Sequence, residues 1–190
     1  MTAQIFVIFV IGPPGAGKGT LSAYLTNKFP VQHISVGDLL RRIKNDNTDP
    51  QAEVLAYMLN KQELIDGKVL VPILKTELEE LELRGRRKRG ILVDGKQFAK
   101  PELVLFFNCP KEVARQRYLT RNLEGRETDD EAMFEKRYQE YVKENGAIIS
   151  QYAGRGLLLE IGTGMGAEES REELCKKLDK NDKWSKIIGS

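Results

Sequence analysis

Gly12-Pro13-Pro14-Gly15-Ala16-Gly17-Lys18-Gly19-Thr20 decides how this chain is read. The apolar, β-branched run Ile5-Phe6-Val7-Ile8-Phe9-Val10-Ile11 precedes it, and Leu21-Ser22-Ala23-Tyr24-Leu25 opens a helical pattern after it. Strand, glycine-rich turn, lysine and helix, in that order, form the context in which a loop can wrap a polyphosphate. Glycines let backbone N–H groups converge where any Cβ would obstruct them. The helix starting near Gly17 adds its positive end, and Lys18 a mobile full charge. A glycine turn that only joins a strand to a helix is the plainer alternative. Six defined positions in the right context favour a nucleotide-phosphate site made by Gly15, Ala16, Gly17, Lys18, Gly19 and Thr20.

Outward from this loop, five short apolar runs read as strands: 5–11, 32–34, 91–93, 103–107 and 157–161. They lack strict polar alternation, as strands covered on both faces do. Helical patterns separate them, most clearly at 51–59, 73–83, 111–121, 130–151 and 168–178. Alternating strand and helix predicts an α/β, three-layer fold with a five-stranded parallel sheet, its ligands beyond the carboxyl ends of the strands; with the glycine loop at 12–20 after the first strand, the expected fold is that of a P-loop NTPase. The tail from Lys176 is polar apart from Trp184 and Ile187-Ile188, which predicts partial fraying.

Composition narrows the class. A chain of 190 residues, 41% hydrophobic, suits one well-buried core and is short for two, so 1–190 is expected to be a single domain. Thirty basic against 28 acidic side chains leave a net charge of +2, which argues against a nucleic-acid binder. The run Arg84-Gly85-Arg86-Arg87-Lys88-Arg89 reads better as a basic helix terminus offset by Glu77, Glu79, Glu80 and Glu82 than as a nucleic-acid patch. The brief apolar start reads as a core strand, not a signal peptide, and no segment reaches membrane-helix length. Cys109 and Cys175 lack metal-site spacing and fit a reducing compartment, the cytoplasm or nucleus. His33, the single histidine, excludes a His-based catalytic array and reads as structural.

Two further segments carry chemistry. Ile91-Leu92-Val93-Asp94-Gly95 ends a buried strand in a carboxylate; beside a phosphate loop, Asp94 is placed to order Mg2+ through its waters, with the Thr20 hydroxyl as a second ligand. A plain turn cap is the alternative. Arg117-Tyr118-Leu119-Thr120-Arg121, then Gly125-Arg126-Glu127-Thr128-Asp129-Asp130 and Lys136-Arg137-Tyr138, concentrate arginines around one connection. Phosphoryl transfer spreads negative charge over equatorial oxygens, and such a cluster would stabilise it. A solvated helix held by i, i+4 pairs is the plainer reading.

Gly19 stands where a Ser or Thr usually follows the lysine, and the hydroxyl arrives at Thr20. The form G-x-P-G-x-G-K-G-T resembles the nucleoside monophosphate kinases, the adenylate and UMP/CMP kinase family, over about residues 5–163. The resemblance implies ATP as donor, Mg2+, and a nucleoside monophosphate (AMP, UMP or CMP) as acceptor, in a monomer with no nucleic-acid or membrane partner. In His33-Ile34-Ser35-Val36-Gly37-Asp38-Leu39-Leu40-Arg41 it implies that Arg41 holds the acceptor phosphate. Arg121, Arg126 and Arg137 match the arginines of a short lid over 121–130; Arg121 would reach ATP, and Arg126 and Arg137 the acceptor. Lys18 joins these three as catalytic. Gly67-Lys68-Val69-Leu70-Val71-Pro72 matches in two registers: one puts Val71 in the wall of an acceptor excursion over 35–72, the other starts the next helix at Val71.

One segment departs. The family follows the strand-ending Asp-Gly with Phe-Pro-Arg and a later Gln, which grip the monophosphate and read the base. Here Asp94-Gly95 continues Lys96-Gln97-Phe98-Ala99-Lys100-Pro101-Glu102, with only eight residues between Gly95 and Val104, so against the family the segment reads as shortened by loss of Phe-Pro-Arg and most of a helix. Lys96 supplies a point charge in place of a bidentate fork. Two rivals to the kinase follow: an ATP-binding degenerate homologue that has lost its acceptor, and a small-molecule kinase on the same fold.

Overall fold

The computed structural model describes residues 6–46, 48–60, 67–83, 89–94, 100–121 and 130–189. Its elements run β1 (Phe6–Ile11), α1 (Lys18–Lys28), β2 (Val31–Ser35), α2 (Val36–Lys44), α3 (Ala52–Asn60), α4 (Gly67–Leu83), β3 (Gly90–Asp94), β4 (Leu103–Asn108), α5 (Lys111–Thr120), α6 (Glu131–Gly154), β5 (Leu158–Gly162), α7 (Ala167–Leu178) and α8 (Asp182–Ile188). The five strands form one sheet in the order β2-β3-β1-β4-β5. All four pairings are parallel.

Because successive strand residues face opposite sides, each strand feeds two cores. Ile8, Val10, Leu92, Leu105 and Phe107 meet Leu21 and Leu25 of α1, Ala114 and Tyr118 of α5, Leu174 of α7 and Trp184 of α8. Phe9, Ile11, Ile34, Val93, Val104 and Phe106 meet Leu39 and Leu40 of α2, Leu55 of α3, and Leu70, Ile73 and Leu74 of α4. Helix α6 serves both, through Phe134 and Tyr152. This is the three-layer arrangement that the uninterrupted apolar strands predict.

Two expectations change. Helix α4 starts at Gly67 and runs through Pro72, not from residue 73. Proline removes one N–H and crowds the preceding turn. That cost falls early in a 17-residue helix, whose Leu70, Ile73 and Leu74 are buried, and the helix continues. The C-terminal tail is docked rather than frayed. In α8, Trp184 and Ile187 are each 1% exposed, and Trp184 stands edge-on to Phe29 with ring centroids 5.1 Å apart. The Asn181 side chain caps α8 by accepting the Trp184 N–H at 3.0 Å.

Candidate active site

Sheet register brings the first two candidate groups together. Val10 pairs with Asp94, and Asp94 with Ser35, so β1, β3 and β2 finish at one level. The loop of residues 12–17 leaves that edge from β1. Gly15 and Gly17 both take φ of +83°, the left-handed conformation that favours glycine. Gly17 caps α1, and Leu21 N donates to its carbonyl at 2.9 Å. Ala16 is buried, while Gly19 and Thr20 on the first turn of α1 are exposed.

Lys18 folds back over the loop. Its Nζ donates to the carbonyl oxygens of Gly12 at 2.9 Å and Pro13 at 3.1 Å. Asp94 Oδ1 lies 4.0 Å from the same Nζ. A lysine and a carboxylate therefore flank a helix N-terminus that lacks a side-chain cap. The donor set fits polyphosphate with a divalent cation: backbone N–H groups and an ammonium for the phosphates, a carboxylate and the exposed Thr20 for the ion.

On the β2 side, Ser35 caps α2 by accepting from Asp38 N. Arg41 reaches back one turn to form an ion pair with Asp38, and its guanidinium lies over Gly37. Arg42 instead pairs with Glu77 of α4. Val71 sits half-buried in the second turn of α4. Helix α4 begins at Gly67 and so carries the whole Gly67–Pro72 segment, Val71 included.

On the other side, α5 ends at Thr120 and Arg121 turns away in extended backbone. The chain returns at Asp130, whose side chain caps α6 by accepting from Met133 N at 2.8 Å. Arg121 lies over the ring of Tyr118, Cζ to centroid 4.0 Å. Arg137 of α6 donates from Nη1 to Tyr118 Oη at 2.9 Å. The structure thus brings Arg121 and Arg137 onto one tyrosine. Arg126 lies outside the described residues, as do Lys96, Gln97 and the basic run 84–88.

Two contributors escaped the sequence reading. Tyr118 stands three residues before Arg121 at the end of α5, a spacing that lets the two side chains meet. Arg117 donates to the carbonyls of Thr163, at 2.6 Å, and of Met165, tying the turn after β5 to α5. His33, on β2 opposite Leu92, is half-buried; burial pushes its imidazole below the ordinary value while Asp94 and Asp38 pull it up. No described residue partners its Nε2.

A parallel sheet ending in a glycine loop whose lysine meets its own carbonyls, with an aspartate on the next strand, defines a P-loop nucleotide-binding protein. The family model for adenylate kinase matches residues 10–157. The chain is 28% identical to human UMP-CMP kinase over 190 aligned residues, covering 92% of this chain and 97% of that protein. It is 29% identical to chicken adenylate kinase isoenzyme 1, over 92% and 94%. With Arabidopsis thaliana UMP-CMP kinase 3 it shares 32% identity, over 88% and 86%. The chain belongs to the adenylate kinase family and is a nucleoside monophosphate kinase, an enzyme that moves the γ-phosphate of a nucleotide donor to a nucleoside monophosphate. No helix among the described residues is long and apolar enough to cross a membrane.

Proposed function

We propose that the donor is ATP, and that UMP or CMP is the acceptor to test first, because the human and Arabidopsis relatives carry the name UMP-CMP kinase. The single observation that carries the donor half is the Lys18 ammonium, held over the loop by Gly12 and Pro13 with Asp94 4.0 Å away. N–H groups of Gly15, Ala16, Gly17, Gly19 and Thr20 take the donor phosphates, and Lys18 moves from its carbonyls onto them. Asp94, through water, and the Thr20 hydroxyl hold Mg2+, which neutralises phosphate charge when bound.

Arg41 exchanges its ion pair with Asp38 for the acceptor phosphate, whose planar oxygens match a guanidinium fork. An acceptor phosphate oxygen then bonds to the γ-phosphorus as its bond to the bridging oxygen breaks, and ADP leaves. Arg121, Arg126 and Arg137 neutralise the equatorial oxygens, with Arg126 and Arg137 also on the acceptor. The transfer needs no general base, which suits a chain with one histidine. One monomeric domain with excursions at 35–72 and 121–130 carries these parts, in the cytoplasm or nucleus. Free thiols at both Cys109 and Cys175 support a reducing compartment.

A coupled ADP-release assay with ATP, Mg2+ and each of AMP, UMP and CMP tests this, with Lys18→Ala as the blank. Turnover well above the blank is expected with at least one monophosphate, and with UMP or CMP before AMP. MgATP binding without turnover for any of them would return the degenerate-homologue reading, with loss of the Phe-Pro-Arg segment after Gly95 as its cause.

A further inference from the structure

We propose that Tyr118 is a positioning residue that sets the lid arginines before substrate arrives; the inference rests on the proposed roles of Arg121 and Arg137. Its side chain is fully buried, and its ring packs against Phe134 of α6 with centroids 5.4 Å apart. That packing fixes the ring plane, and the two functional ends of the tyrosine then serve different arginines. The face carries Arg121 at 4.0 Å, from the point where the chain leaves α5. The hydroxyl oxygen accepts from Arg137 at 2.9 Å, on the helix to which the chain returns. Arg137 Cζ also lies 5.8 Å from the ring centroid, so both cations sit around one electron-rich ring.

The physical case is preorganisation. A free arginine loses considerable rotamer entropy when it closes on a phosphate, and two placed side by side repel. A cation over an aromatic face and a hydrogen bond to a buried hydroxyl offset part of that cost before the ligand binds. Oriented charges that need no rearrangement contribute most to a transition state in which charge spreads over oxygens. Two surface ion pairs also link α5 to α6: Arg115 with Glu131 at 2.5 Å, and Lys111 with Glu135 at 2.9 Å.

Tyr118→Phe keeps the platform for Arg121 and removes the acceptor for Arg137, so it isolates one arm. The test is a double-mutant cycle of Tyr118→Phe and Arg137→Met, read on kcat/KM and on the dissociation constant of UMP, with thermal unfolding of each variant as a check on the fold. In the wild-type background Tyr118→Phe is expected to lower kcat/KM about tenfold, the size of one hydrogen bond to a charged group. In the Arg137→Met background the same change is expected to be nearly silent, because a residue acting through another loses its effect with it. Equal losses in both backgrounds, or no loss in either, overturn the proposal. A wild-type chain that binds UMP without turnover would overturn the phosphotransfer reading and leave the affinity cycle to decide Tyr118. One that does neither would overturn both.

Discussion

At Gly15 two constraints coincide. Its φ of +83° suits glycine, and a Cβ there would stand 2.0 Å from the carbonyl oxygen of Ala114 on α5. The clash is with backbone, which cannot swing aside. Gly15→Ala is therefore expected to cost about 2–4 kcal/mol of stability, combining left-handed strain with overpacking. It should also abolish stabilisation by MgATP. Urea unfolding with and without nucleotide reads both, and a variant as stable as wild type that still responds to MgATP would refute the account.

His33 makes a pH prediction. Burial lowers its folded pKa, so the fold holds the ring neutral while the unfolded chain takes up a proton near the ordinary value of about 6.5. Its contribution is complete above that value and is lost as pH falls from there through the lowered folded pKa. His33→Gln should flatten this stretch of the stability profile, as chemical denaturation between pH 7 and about 5 would record. A wild-type-like slope in the variant would assign the loss to other groups. The glycines, Lys18 and Asp94 were legible in the sequence because their chemistry depends on neighbours along one turn or one strand end. The role of Tyr118 was not, since it needs Phe134 and Arg137 from a different helix to give the ring its plane and partner.

At the scale of elements, the strands could be read almost to the residue, while two helices could not. Proline at 72 argued for a helix starting after it, and burial of Leu70, Ile73 and Leu74 outweighs one missing N–H. Polar composition after Lys176 argued for fraying. What composition hides is that Trp184 and Ile187, three residues apart, share one face of α8 and both enter the core. Trp184→Ala is expected to cost about 3–5 kcal/mol, lowering the melting temperature by roughly ten degrees. The KM for ATP should hold, because α8 packs near Phe6, at the opposite end of β1 from the phosphate loop. Scanning calorimetry and initial rates test this; a loss under about 1 kcal/mol would mean that the tail is not docked as described.

Across the whole molecule, class and layer number were legible from alternation, but strand order was not, because apolar runs carry no label for their neighbours. The donor half of the site was legible for the same reason as its loop: it is local. The acceptor half was not, since residues 95–99 depart from the family pattern and Gly67–Pro72 matches it in two registers.

The order β2-β3-β1-β4-β5 also bears on how the chain is made. Of the five strands, the one earliest in sequence is the centre of the sheet, flanked by β3 and β4. About eighty residues separate the end of β1 from the start of β3. At roughly 5–20 residues per second, a nascent chain carries Phe6–Ile11 unpaired for on the order of ten seconds. During that interval an apolar strand with both edges open is what a holdase, or another nascent chain, would meet first. The strand that anchors the phosphate loop in the finished enzyme is thus the segment most in need of shelter at the ribosome.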